Sequence, residues 1–199
     1  MINPLIVCAL KDEFNIETKR YSLSHTGVGK VKSAISLTEH LLSDKKPDYV
    51  INYGTAGSKK IDVGELVDCT KFIQRDLDAS KLGFDKFKTP FNGKNSIEID
   101  DSFILQNPIK KFLTCATGDN FLATSCVHPG DVVDMGAYAL AKVCAKFFIP
   151  FISFKYISDS ADSDANVMWE LNLQKGKKAF IKDILKPLSL FKNKYNKQL

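Results

Sequence analysis

YSLSHTGVGKVKSAISLTEHLLSDKKPDYVINYG, residues 21–54, reads as strand, turn, helix and strand. Residues 21–26 half-alternate and end at Gly27. From 30 to 46, Val31, Ala34, Ile35, Leu37, Thr38, Leu41 and Leu42 recur at helical spacing, and Pro47 stops the run. Residues 48–54 form a short apolar run that suits a buried strand, closing a strand-helix-strand unit. The turn inside it, HTGVGKV (25–31), has the look of a phosphate-binding loop. That loop needs a glycine five residues before the Gly-Lys pair and a Ser or Thr straight after it, because backbone N–H groups cradle the phosphates and the hydroxyl holds Mg²⁺. Those positions are Ser24 and Val31. The motif is therefore a glycine turn feeding a helix, without triphosphate chemistry.

Outward from this unit the alternation continues. NPLIVCA (3–9) precedes it as a buried strand. DVGELVDCTKFIQRD (62–76) suggests a long strand after a glycine turn, and 79–96 is loop-like. FLTCATG (112–118) returns to a buried strand, GAYALAKVCAKFF (136–148) is an apolar helix, and FISFKYIS (151–158) is a further strand. A final amphipathic helix follows Trp169. Buried strands alternating with helices predict an α/β sandwich on a mostly parallel sheet. Ligands of such sheets collect at the carboxyl ends of the strands, here CALKDE, NYGTAG, CATGDNF and YISDSAD.

Composition bounds the rest. With 199 residues and 44% apolar content the chain can close one substantial core, which predicts one compact domain. The opening MINPLIVCALKDE has no basic n-region, and charges interrupt its apolar run, so neither a signal peptide nor a membrane span is expected and the location should be cytoplasmic. Cys8, Cys69, Cys115, Cys126 and Cys144 are odd in number and widely spaced, mostly inside apolar runs, as reduced core residues are. His25, His40 and His128 lack ligand spacing, so no metal is implied, nor any other cofactor.

The net charge of +5 is concentrated in residues 171–199, where eight lysines face one acid, Asp183. Arginine, favoured for phosphate and base-edge recognition, occurs only at Arg20 and Arg75. A solvated lysine-rich helix face is the better reading, with an RNA or membrane-surface role the lesser one.

At the strand ends, Glu13 and Asp159 lie beside a glycine-lined turn and an aromatic. Singly each suits an ordinary structural role; together they suit acid–base work on a flat ring. TGVGKV (26–31), PDYVINYGTAGS (47–58), DVGELVD (62–68), ATGDNF (116–121), VVDMGAYALAKVC (132–144), PF (150–151) and ISDSAD (157–162) occur in one order. In that order the chain resembles the methylthioadenosine/S-adenosylhomocysteine nucleosidases of the purine nucleoside phosphorylase superfamily, from the first strand to about residue 170.

The resemblance implies a three-layer α/β/α sandwich with a mixed, mostly parallel central sheet, as one domain over 1–199. It implies hydrolysis of a purine N-glycosidic bond by a homodimer acting on a small nucleoside, without nucleic acid or membrane. By the same resemblance Asp159 is the acid that assists the leaving purine, and Glu13 activates water. Thr55 places a hydroxyl near that water, within a turn that includes Ala56 and Gly57. Phe121 stacks on the base and Leu122 offers backbone groups to its edge. Met135 lines the ribose, Lys155 fills a basic position that is often arginine, Ser158 adjoins the acid, and Trp169 closes the pocket for a 5′ substituent.

Two departures stand out. The family has Met-Glu where this chain has Met135-Gly136. That glutamate normally takes hydrogen bonds from the ribose hydroxyls, and its loss should cost about 1.5 to 3 kcal/mol. Gly136 is then a replaced glutamate, or a nearby acid such as Asp134 substitutes for it, or catalysis has been lost. Second, the short NIETKRYSLS replaces an extra strand pair, which leaves the pocket more open and the 5′ substituent undefined. The alternatives to a hydrolase are a nucleoside phosphorylase, which needs a phosphate pocket, and a catalytically dead nucleoside-binding homologue.

Overall fold

A computed structural model of the chain describes residues 3–43, 46–91, 96–99, 107–121, 129–162 and 165–187. Strand β1 is Pro4–Cys8, β2 is Ser22–His25 and helix α1 is Lys30–Leu42. Strands β3 (Tyr49–Gly57) and β4 (Leu66–Gln74) follow, then a 3-10 turn at Ser80–Leu82 and the two-residue β5 (Ile97–Glu98). Strand β6 is Leu113–Thr117, β7 is Val132–Asp134, helix α2 is Ala137–Phe147 and β8 is Phe151–Asp159. Helix α3, Ala165–Phe180, runs on into a π-turn at Ile181–Leu185. No helix of the described residues is long and apolar enough to cross a membrane.

The strands form one mixed sheet in the order β2-β1-β3-β7-β6-β4-β5, with β8 pairing both β3 and β4. The β1–β2, β1–β3, β3–β8, β4–β6 and β6–β7 ladders are parallel, so parallel pairing predominates as expected. Because β8 bridges β3 and β4 while Gly57 at the end of β3 meets Val133 of β7, the strands β3, β8, β4, β6 and β7 close a ring. That closure gathers the ends of β3, β7 and β8 around one point.

Alternation along the buried strands divides the core in two. Leu5 and Val7 pack with Leu37 and Leu41 of α1 and Leu140, Ala141 and Cys144 of α2. Ile6 and Cys8 pack with Phe180 and Ile184 on the other side. β8 repeats this, with Phe151 and Ile157 in the first cluster and Ile152, Phe154 and Tyr156 in the second. Side chains two apart share a face, so a strand buried on both faces reads as a continuous apolar run and needs helices on both sides.

Several boundaries differ from the sequence reading. The buried face of α1 is Ser33, Leu37 and Leu41, whereas Val31, Ile35 and Leu42, counted with the apolar set, are exposed. α3 begins at Ala165, so Trp169 lies inside the helix instead of preceding it. β4 starts at Leu66 because Gly64, at φ 102°, holds the preceding residues in a turn. β7 and β5 were not anticipated: three and two residues are too few for a period to show.

Candidate active site

A cavity of about 390 Å³ opens where β3, β7 and β8 end. Its lining brings together Glu13, Thr55, Ala56, Gly57, Phe121, Met135, Gly136, Lys155, Ser158, Asp159 and Trp169. Leu122 falls outside the described residues.

Glu13 reaches the cavity from the turn after β1. The segment is pinned by its neighbour Phe14, fully buried edge-on to Phe180 at 5.4 Å and to Tyr53 at 6.0 Å, while His25 Nε2 lies 2.9 Å from the Phe14 carbonyl. The Glu13 side chain is 5% exposed. Its Oε2 accepts from the Leu10 N–H at 3.1 Å; its Oε1 accepts from the Thr55 N–H at 3.0 Å and the Thr55 hydroxyl at 2.9 Å. The Trp169 indole N–H donates in turn to Thr55 Oγ1 at 2.8 Å. A chain of donors therefore runs from α3 through β3 to this carboxylate, fixing its rotamer.

Asp159 closes β8 and is 4% exposed. The Ser158 hydroxyl donates to its Oδ2 at 2.7 Å and the Ala161 N–H to its Oδ1 at 2.9 Å. Burial raises its pKa above the ordinary carboxylate value, outweighing those two donors. Gly57 makes room for it: a Cβ there would lie 2.5 Å from Asp159 Oδ1, a separation no side chain tolerates.

Lys155, on the same strand, points its ammonium at Asp134 Oδ2, 2.9 Å away. Asp134 also accepts from the Thr117 hydroxyl at 2.6 Å and from the N–H groups of Ala137 at 2.8 Å and Gly136 at 3.3 Å. Burial works against its charge, but Lys155 and these donors outweigh it and hold the carboxyl below its ordinary range. Burial likewise opposes the charge on Lys155, and Asp134 more than restores it, so the ammonium's pKa is raised.

A sequence profile of the phosphorylase superfamily matches residues 12–182. The chain is 32% identical over 176 residues to the 5′-methylthioadenosine/S-adenosylhomocysteine nucleosidase of Actinobacillus succinogenes, covering 79% of this chain and 76% of the relative. The chain belongs to this nucleosidase family. The Haemophilus influenzae (strain PittGG) nucleosidase is 31% identical over 183 residues, covering 83% and 79% of the two chains. Among solved structures, the Helicobacter pylori nucleosidase with butyl-thio-DADMe-Immucillin-A superposes with a TM-score of 0.82 at 22% identity, covering 95% and 98%. Futalosine hydrolase of Helicobacter pylori strain 26695 gives 0.80 at 22% identity, covering 94% and 98%. These structures share the nucleosidase fold.

Within this nucleosidase frame, Gly136 is the N-cap of α2, and a Cβ built on it would lie 2.7 Å from Ser33 Oγ. Any larger residue there requires Ser33 to move. Lys30 of the TGVGKV turn ties α1 to neighbouring strand ends: its ammonium reaches Asp76 at 2.6 Å and Gln74 at 3.2 Å, and its N–H donates to Asp119 at 2.7 Å. Phe121, two residues on from Asp119, stands half-exposed in the cavity lining.

Arg75 and Ser33 are among the lining residues that the sequence does not single out. Arg75 lies outside the matched motifs, yet it reaches the cavity and holds the Asn120 side chain at 2.6 Å. Ser33 sits within the apolar period of α1, and a small polar residue in register with Leu37 and Leu41 is the only local signal of it.

Proposed function

We propose that the protein hydrolyses the N-glycosidic bond of adenine nucleosides of the 5′-methylthioadenosine and S-adenosylhomocysteine type. The observation that carries this reading is that Asp159 and Glu13, distant in sequence, line one cavity in opposite settings. Burial raises the pKa of Asp159 above the ordinary carboxylate value, whereas Glu13 accepts three protein donors. A purine leaves poorly as an anion, so a carboxylic acid beside N7 lowers the barrier by donating its proton as the C1′–N9 bond breaks. The sugar becomes oxocarbenium-like, and water must add at C1′. Glu13 takes the proton of that water, and its hydroxide oxygen forms the new bond to C1′. The products are neutral adenine and the free sugar, and return of the Glu13 proton to Asp159 through solvent resets the site.

In this reading Thr55 fixes Glu13, and Ser158 fixes Asp159 beside the Ala56–Gly57 backbone. Phe121 stacks on the base, Met135 lines the sugar and Trp169 borders the 5′ group. The base-edge role of Leu122 rests on family resemblance. Lys155 sets the charge of Asp134 instead of touching the nucleoside. Because four donors already occupy Asp134, it is poorly placed to replace the missing glutamate.

A homodimer is part of this reading. Its support is the exposed apolar side chains Val31, Ile35 and Leu42 of α1, together with Val28, which lines the cavity; a second copy would cover them. Sedimentation at micromolar concentration should give twice the chain mass. A cytoplasmic location fits the free, buried Cys8, Cys69, Cys115 and Cys144.

The presence of Arg75 in the lining favours phosphorolysis as the second reading. Incubation with 5′-methylthioadenosine in phosphate-free buffer separates the two. Adenine release without phosphate supports hydrolysis; release that strictly requires phosphate assigns the second reading; none at all removes both.

A further inference from the structure

One polar side chain in the cavity has no part in the mechanism above. Ser33 lies on α1, is 1% exposed and lines the cavity. Its hydroxyl makes no hydrogen bond among the described residues. It faces Gly136 so closely that a Cβ there would sit 2.7 Å from its Oγ but 3.7 Å from its Cβ. The first distance is a collision and the second an ordinary contact. The serine hydroxyl and a side chain at 136 therefore compete for one volume, and in this protein the hydroxyl holds it.

This leaves the wall beside Met135 with a neutral group. Four carboxylates line the cavity. Both oxygens of Glu13, Asp134 and Asp159 already accept protein donors. Glu170, the fourth, is exposed on α3 next to Trp169. Strong selection for a substrate hydroxyl arises where its absence strands a buried charged or fully committed partner. A lone neutral hydroxyl, unpartnered before the substrate arrives, loses little when a sugar hydroxyl is missing.

We propose that Ser33 is a specificity-determining residue facing the sugar, and that with Gly136 bare the protein accepts 2′-deoxyribonucleosides of adenine nearly as well as ribonucleosides. This rests on the adenine-nucleoside reading of the cavity.

The test measures adenine release and calorimetric affinity for 5′-methylthioadenosine and its 2′-deoxy analogue side by side. The expected preference for the riboside is within about tenfold in kcat/KM and in Kd. Release with a larger preference overturns the specificity inference and leaves nucleoside cleavage standing. Binding of both within that range without release does the reverse. Failure to bind either overturns both.

Two further variants read the shared volume directly. Gly136→Ala should melt about 2 °C or more below the wild type, and Ser33→Ala/Gly136→Ala should recover that loss; equal melting of the two variants contradicts the competition. Ser33→Ala/Gly136→Glu, with a charged acceptor in the freed space, should raise the riboside preference by about 10- to 150-fold. An unmoved ratio in that folded variant overturns the assignment.

Discussion

Lys155 Nζ and Asp134 Oδ2 lie 2.9 Å apart with side chains only 4% and 5% exposed, so each buried charge is tolerable because of the other. Removing one partner strands the other in a low-dielectric wall. Lys155→Met or Asp134→Asn should destabilise the fold by about 3 to 5 kcal/mol, read by urea unfolding. Because the folded pKa of Asp134 is below its ordinary 3.8, its contribution is complete above that value. It should be lost as pH falls through the lower folded value.

Asp159 has the opposite sign. Its folded pKa is above the ordinary 3.8, so the native state holds this proton more tightly than the unfolded chain does. Stability from this group should decline as pH rises from about 3.8 through the raised value. Asp159→Asn should then melt no lower than the wild type at neutral pH. The adenine-release rate of the wild type should show a limb that falls with rising pH, and Asp159→Asn should lack it.

Thr55 joins Trp169 to Glu13. Thr55→Val removes one donor from the carboxylate and leaves the indole N–H unpaired, at a cost of about 1 to 3 kcal/mol. Turnover should fall more than affinity if Glu13 acts, as proposed, on water and not on the nucleoside. Steady-state kinetics with 5′-methylthioadenosine checks the split between kcat and KM.

Phe14 is the hydrophobic anchor of the Glu13 turn, packed on Tyr53 and Phe180. Phe14→Ala should cost about 3 to 5 kcal/mol by leaving a cavity. Phe14→Leu should keep most of the stability but depress turnover, because the neighbouring carboxylate loses its fixed position. Thermal melts and adenine release on the two variants separate these effects.

The strand-helix alternation was legible because buried strands such as LIVCA and YVINYG are continuous apolar runs and α1 carries a clear helical period. The ring closure through β7 was not. Val132–Asp134 is too short to carry a pattern, and its pairing with Gly57 and β6 is a long-range event. At the site, Glu13, Asp159 and Thr55–Gly57 could be placed from motif order, although Thr55–Gly57 is the end of β3 and not the turn that its glycines suggest. Their partners could not, since the bonds from Trp169 to Thr55 and from Lys155 to Asp134 join residues 114 and 21 positions apart. Ser33 shows the same limit. Its meaning lies in the distance to Gly136, which no local pattern encodes.

In the proposed mechanism two acids act in one cavity, Asp159 on the departing base and Glu13 on water. The most direct test compares adenine release from 5′-methylthioadenosine by the wild type, Glu13→Gln and Asp159→Asn, with folding of each checked by melting. Release by the wild type without phosphate is expected, with a loss of about 10²-fold or more in each folded variant. Wild-type-like release by either folded variant would contradict this mechanism.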